Sequence, residues 1–187
     1  MARVVGKTGT AKAGGGGKRR QVAALPWRGE GEALRILLVS SRETRRWVIP
    51  KGWPMKGKTD DAAAAQEAYE EAGLDGVISP QSVGEYEYLK KLKSGAARLV
   101  KVDVYPLHVT GCREAWPEKG QRTLEWMTPV EAALAVQEPE LRDLIARFAG
   151  VELPEERPAP HPAPTPVRVA FQRLRRRVTA LWGRYRR

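Results

Sequence analysis

Residues 52–74 read GWPMKGKTDDAAAAQEAYEEAGL. From residue 60 to residue 72 the composition is rich in alanine and strongly favours a helix. Thr59 or Asp60 can cap the start of this segment, and Gly73 is placed to end it. The stretch therefore predicts one helix of about three turns over residues 60–72.

Three carboxylates share one face of this predicted helix. Glu67, Glu70 and Glu71 stand at positions i, i+3 and i+4. Such like charges oppose each other by roughly 0.2–0.5 kcal/mol per pair, and the negative end of the helix dipole adds to the repulsion. A solvated acidic face is one interpretation. A divalent cation is the other, because Mg²⁺ binds carboxylate oxygens together with waters and substrate phosphates.

The residues before the helix favour the metal site. Residues 47–52, WVIPKG, are typical of a short strand that ends in a Pro/Gly loop, which gives the order strand, loop, helix. The stretch resembles the Nudix box, whose pattern is Gly, five residues, Glu, seven residues, Arg-Glu, an apolar residue, any residue, Glu-Glu, any residue, Gly and an apolar residue. The matching positions are Gly52, Glu67, Ala68, Glu70, Glu71, Gly73 and Leu74.

Two positions depart from the Nudix pattern. Lys58 replaces the first Glu, and Gln66 replaces the Arg. In the family these two residues are thought to support the loop and the helix through an ion pair. Both partners are absent together, so neither leaves a buried charge unpaired. We interpret the segment as a variant box, because the carboxylates that would hold a metal remain.

The resemblance implies an α/β fold, the Nudix α/β/α sandwich with a mixed sheet. Patterning predicts strands at 21–27, 34–39 and 122–127, a long hairpin over 83–92 and 97–110, and helices starting at Thr128–Pro129 and near Pro139. The predicted organisation is a flexible basic arm (1–20), a Nudix hydrolase domain (21–152), a Pro-rich linker (153–166) and a basic amphipathic helix (167–187).

Residues 37–42, 46–52 and 123–126 look like the diphosphoinositol polyphosphate phosphohydrolase branch, a resemblance that covers roughly residues 21–150. That branch cleaves phosphoanhydrides in inositol pyrophosphates and in dinucleoside polyphosphates. The resemblance implies a hydrolase that uses Mg²⁺, with Mn²⁺ as the alternative ion, bound by Glu67, Glu70 and Glu71. Glu71 is also a catalytic candidate, and Glu70 and Glu125 are both candidates for the general base.

An anionic substrate needs cations and hydroxyls beside the metal. The residues that precede the helix supply both, because arginine forks match phosphate oxygens and a lysine acts as a point charge. A solubilising loop and ordinary turn serines are the alternatives. The substrate-binding candidates are Ser40, Ser41, Arg42, Arg46, Lys51 and Gly52. Lys90, Lys91 and Lys93 at the hairpin tip either reach further phosphates or protect a sheet edge.

The net charge of +11 belongs to the two ends of the chain. Residues 1–20 and 167–187 carry fourteen Lys and Arg and no acids, which leaves −3 for residues 21–166. The single cysteine, Cys112, excludes an internal disulfide and favours a reducing, cytoplasmic location. The sequence has no apolar run long enough for a membrane span or a signal peptide.

The C-terminal segment has an apolar stripe at helical spacing, with arginines elsewhere around the helix. Three interpretations stay open. The stripe packs on this domain or on a second copy, it lies on an anionic membrane surface, which would make the protein peripheral to the membrane, or it binds nucleic acid. The last is the least favoured, because basic charge alone is unspecific.

Two functions of different classes follow. The first is a Mg²⁺-dependent phosphoanhydride hydrolase, which the three intact carboxylates favour. The second is a catalytically weak Nudix-fold module that binds polyphosphorylated ligands, which Lys58 and Gln66 suggest.

Overall fold

A computed structural model describes residues 19–92 and 95–154. Within these ranges the strands are β1 (Arg19–Arg28), β2 (Arg35–Ser40), β3 (Trp47–Val48), β4 (Lys51–Gly52), β5 (Leu74–Ile78), β6 (Gly84–Lys91), β7 (Ala97–Cys112) and β8 (Leu124–Met127). The helices are α1 (Asp60–Ala72), α2 (Pro129–Ala135) and α3 (Pro139–Ala149).

All of these strands belong to one mixed sheet. Its order is β3-β2-β1-β7-β5, with β4 beside β1, β6 beside β7 and β8 beside β2. Strands β1 and β7 run parallel, from Arg19 opposite Val100 to Trp27 opposite His108. The other pairings are antiparallel.

The two faces of the sheet carry separate hydrophobic cores. Alternation along β1 directs Val22 and Ala24 into the core under α1, whereas Ala23 and Leu25 enter the core under α2 and α3. On α1 the buried residues are mostly alanines, so the helix backbone can approach the sheet closely. Helices therefore cover both faces, and the predicted α/β/α sandwich is confirmed.

The helix ends follow the sequence signals. Thr59 is the residue that precedes α1, and Gly73 ends it in the left-handed conformation with φ of 69°. A Cβ at Gly73 would lie 2.5 Å from the ring of Trp116, so both backbone angle and space require glycine. Thr128 caps α2, and Glu131 bonds back to it, which completes a capping box.

The strand limits differ from the predicted ones by one or two residues at several ends, and the predicted strand within residues 47–52 is divided into β3 and β4. β1 begins at Arg19 rather than residue 21, because Arg20 pairs with Asp60 (2.7 Å) and Asp103. β7 continues to Cys112, two residues beyond its predicted end. β5 was not predicted, since its sequence, LDGVI, has no regular alternation.

The predicted basic arm up to residue 18, the linker from residue 155 and the amphipathic helix lie outside the described residues. Leu153, placed in the linker by sequence, packs against the core. In the described ranges no helix is both long and apolar enough to cross a membrane.

Candidate active site

Strand β4 lies directly beside the acidic face of α1. A Cβ on Gly52 would clash with Oε1 of Glu67, so a larger residue here would displace this carboxylate from its present position. Burial, together with the charges of Glu71, Glu70 and Glu118, raises the pKa of Glu67 to about 7. Glu67 is thus held in an environment that favours either a proton or a bound cation.

Glu71 is buried near the end of α1. Its Oε1 accepts a charge-assisted bond from Nη2 of Arg122, and both side chains are less than one tenth exposed. Burial raises the pKa of Glu71, although the charges of Arg122 and Lys51 act in the opposite direction. Its second oxygen, Oε2, is buried without a hydrogen-bond partner among the described residues.

Arg122 connects the acidic helix to two other segments. Its Nε lies 2.7 Å from Oε2 of Glu118, and its Nη1 donates to the backbone oxygen of Ser40 at 3.1 Å. The backbone N–H of Glu118 donates in turn to the oxygen of Glu70. This role of Arg122 is not predicted from the sequence, because the contact with Glu71 spans 51 positions and follows no recognisable spacing.

The two residues that depart from the Nudix pattern contact each other. Lys58 Nζ donates to Oε1 of Gln66 at 2.9 Å, and Nε2 of Gln66 donates to Oε1 of Glu70 at 2.8 Å. This chain of bonds ties the loop to the helix and fixes the orientation of the Glu70 carboxylate.

A cleft of about 430 Å³ opens beside these carboxylates. Glu71 lies in its wall, and most of the charged residues around it are cationic: Arg42, Arg46, Lys51, Lys90, Lys91 and Arg122. Such a lining concentrates positive potential in a concave space, which suits a ligand with several phosphates.

Lys51 and Arg46 flank the ring of Tyr88 inside the cleft. Lys51 Nζ lies 5.5 Å and Arg46 Cζ 5.6 Å from the ring centroid. Burial lowers the pKa of Lys51 to about 8. Arg46 also pairs with the buried Glu138 at 2.6 Å, and the Tyr88 hydroxyl donates to Gln21 at 2.7 Å.

Most of the predicted substrate-binding residues meet at this cleft. Ser41, Arg42, Arg46 and Lys51 line it, as do Lys90 and Lys91, whereas Lys93 lies outside the described residues. Ser40 does not take the substrate-binding position that the sequence predicts. It is fully buried, and its hydroxyl accepts a 2.9 Å bond from the backbone N–H of Thr123, so it is not available to a ligand.

Glu125 also differs from the prediction. Its neighbours Leu124 and Trp126 pack into the core under α1, and Glu125 pairs with Leu38, whose side chain enters the opposite core. Alternation therefore places Glu125 on the sheet face away from the acidic helix. Glu125 does not line the cleft. Glu70 does not line it either, but Glu70 lies on the acidic helix beside Glu71 and stays the candidate for the general base.

The carboxylates of α1 fit a divalent cation by their chemistry. All three offer oxygens, and both the raised pKa of Glu67 and the unpartnered oxygen of Glu71 indicate negative charge that a cation would neutralise. Among residues 19–92 and 95–154 no three acidic, His or Cys side chains already converge as a ligand set. Arg122 occupies one oxygen of Glu71 in this arrangement.

Comparison with known proteins finds relatives among the Nudix hydrolases. The chain is 32% identical over 118 residues to Nudix hydrolase 16, mitochondrial, of Arabidopsis thaliana, covering 62% of this chain and 65% of that protein. It is 31% identical over 123 residues to diphosphoinositol polyphosphate phosphohydrolase 3-alpha of Mus musculus, covering 65% and 71%. The chain spans half to about two thirds of the length of the first two Arabidopsis relatives.

The fold matches a solved structure, that of the C. elegans Ap4A hydrolase, with a TM-score of 0.52 and 18% identity. The match covers 71% of this chain and 97% of the other. At this identity the likeness concerns the fold alone. The NUDIX domain family matches residues 17–148, and with the box, the sandwich and the acidic helix in place, the chain belongs to the Nudix family.

Proposed function

We propose that this chain is a Mg²⁺-dependent hydrolase of phosphoanhydride bonds in polyphosphorylated small molecules, either dinucleoside polyphosphates or diphosphoinositol polyphosphates. The observation that carries the proposal is the position of Glu71, which lies both on the acidic face of α1 and in the wall of the cationic cleft. Phosphoryl transfer needs this combination, because a metal site and phosphate-binding cations must meet at one phosphorus.

The cleft residues bind the phosphate chain. Lys51 has no carboxylate in salt-bridge contact among the described residues, so its charge is available to a phosphate. Arg42 is exposed and paired with Glu118 at 3.0 Å. An exposed ion pair of this kind contributes little stability. Arg42 can therefore leave the Glu118 carboxylate and bind a phosphate with little loss of free energy.

The acidic residues position the attacking water. A divalent cation held by Glu67, Glu71 and Glu70 would lower the pKa of a bound water and neutralise the leaving phosphate. Glu70 accepts the proton of the water, and the bond from Gln66 fixes its carboxylate for this role. Arg122 orients Glu71 and adds positive charge at the cleft wall.

One observation favours the alternative, a catalytically weak module that binds polyphosphates. Arg122 already forms an ion pair with Glu71, so a bound cation would gain less electrostatic stabilisation from this carboxylate. The bonded chain from Lys58 through Gln66 to Glu70 favours the enzyme, since it keeps the loop and the proposed base in a defined geometry.

Phosphate release from diadenosine tetraphosphate and from a diphosphoinositol polyphosphate, with and without Mg²⁺, distinguishes the two functions. We expect Mg²⁺-dependent turnover that Glu70→Gln lowers by about 10²–10⁴-fold, as for loss of a general base. Glu125→Gln is the matched control on the opposite sheet face and keeps full activity. Tight ligand binding without turnover under any metal would establish the binding module instead.

A further inference from the structure

Trp53 is a large aromatic residue at the protein surface, with 38% of its area exposed. Two cations lie over its ring. Lys90 Nζ is 5.0 Å and Arg19 Cζ 5.7 Å from the ring centroid. A single exposed tryptophan needs no explanation, but one that is held between two cations at the edge of a phosphate-binding cleft does.

The register of the sheet places this group next to the cleft. Lys51 pairs with Ala23 of β1, on the face that also carries Gln21, and Gln21 bonds to Tyr88 of β6. Two residues further along each strand come Trp53, Arg19 and Lys90. Arg19 and Tyr88 both lie opposite Val100, and Trp53 follows two residues after Lys51. Lys90 connects Trp53 to the cleft, because it lines the cleft as well as contacting the indole ring.

We propose that Trp53, with Arg19 and Lys90, is a nucleobase-binding platform, which makes dinucleoside polyphosphates rather than diphosphoinositol polyphosphates the substrate class. The inference rests on the function proposed above and adds a binding site to it. The terminal base stacks on the indole ring of Trp53. Lys90 leaves the ring and pairs with the adjoining phosphate, which its flexible stem allows.

The chemistry of the two ligand classes decides between them. A nucleobase has a π face that an indole ring and a guanidinium attract, and every base can use it. An inositol ring is saturated and carries charge on nearly every carbon, so it has no π face that could stack on an exposed indole. Stacking of one base, measured by alanine substitution, corresponds to about a 5- to 150-fold change in affinity.

The test is steady-state hydrolysis of diadenosine tetraphosphate and of diphosphoinositol pentakisphosphate by the full chain and its variants. We expect Trp53→Ala to raise KM for diadenosine tetraphosphate by about 5- to 150-fold while kcat stays within about threefold. KM for the diphosphoinositol substrate stays unchanged. Trp53→Phe keeps much of the affinity, because it keeps an aromatic face. Val77→Ala, at a residue that is 68% exposed on β5, is the control and behaves as wild type.

An equal loss with both substrates, or no loss with diadenosine tetraphosphate, overturns the platform while leaving the proposed hydrolase intact. If the wild-type chain hydrolyses neither substrate, the proposed function fails. Titration calorimetry with AMP and with inorganic phosphate then tests, independently of hydrolysis, whether Trp53 binds a nucleobase. Tighter binding of AMP than of phosphate in wild type, lost in Trp53→Ala, supports it. Equal binding of AMP by both proteins refutes it.

Discussion

The ammonium group of Lys58 lies 2.9 Å from the side-chain oxygen of Gln66. These are the two positions at which the chain departs from the Nudix pattern, and they face each other across the loop and the helix. A neutral amide and a cation therefore replace an ion pair in the same place. The amide gains a second function, because it also donates to Glu70.

Exchange of this pair for the family's own pair tests the interpretation. We expect Lys58→Glu combined with Gln66→Arg to keep activity within about threefold of wild type. The double variant is more stable than the sum of the two single changes predicts, by about 0.3–1 kcal/mol, because each single change brings like charges together near Glu70 or Lys58. Urea unfolding of the four proteins gives the coupling energy. Lys56→Glu, on the same loop, serves as the control, and zero coupling contradicts the prediction.

Loss of the buried carboxylate at position 71 affects both chemistry and stability. Glu71→Gln removes a proposed metal ligand and also breaks the ion pair with Arg122, which keeps Glu118 as a carboxylate partner. We expect turnover to fall at least 10²-fold and the free energy of unfolding to fall by about 1–3 kcal/mol. Glu125→Gln leaves both quantities unchanged. Near-normal Mg²⁺-dependent turnover in Glu71→Gln would refute the metal assignment.

Glu67 makes the stability of the metal-free protein depend on pH. Its pKa is about 7 in the folded chain against 4.5 for an ordinary Glu. Between these values the folded state holds the proton and the unfolded state has lost it, so stability falls as pH rises from 4.5 to 7. Glu67→Gln reduces this slope. Thermal unfolding at pH 5 and pH 8 measures it, and Mg²⁺ should restore stability at pH 8 in wild type more than in Glu67→Gln. A variant with the wild-type slope would contradict the assignment.

Lys51 sets an upper pH limit for substrate capture. With a pKa of about 8, its ammonium loses its proton as pH rises beyond that value. We expect kcat/KM, which reports the free enzyme, to fall by about tenfold between pH 7 and pH 9. Lys51→Arg stays charged, so its pH profile remains flat over this range. A profile that falls equally in both proteins would assign the ionisation to another group.

Removal of residues 155–187 separates the Nudix domain from the C-terminal segment. The described core ends with Leu153 packed in place, so we expect hydrolysis of a soluble substrate to stay within about twofold of wild type. Sedimentation with anionic vesicles tests the membrane interpretation, and binding should be lost with the segment, at roughly 1 kcal/mol per basic residue near the surface. Unfolding of the truncated domain, or loss of a dimer, would show instead that the apolar stripe packs against protein.

Local signals predicted the parts of the structure that depend on local physics. Spacing on one helix identified Glu67, Glu70 and Glu71, and the proline and threonine signals identified the start of α2. The contacts that complete the site are long-range. Arg122 reaches Glu71 only because β8 pairs with β2, and Glu125 faces away from the helix for the same reason. Ser40 looked like a phosphate donor at a strand end, but the register buries it against Thr123.

The parallel pairing of β1 with β7 fixes the order in which the chain can become structured during synthesis. The longest pairing of β1 is with β7, a strand that begins some 70 residues after β1 ends. Strand β2 pairs with β8, which is synthesised later still. The β1–β7 pairing cannot be completed until residue 108 has left the ribosome, and the β2–β8 pairing cannot be completed until residue 127 has done so. At about 5–20 residues per second, the apolar N-terminal strand stays unpaired along most of its length for several seconds. The nascent chain is therefore most exposed to chaperones and to aggregation before its Nudix domain has been fully translated.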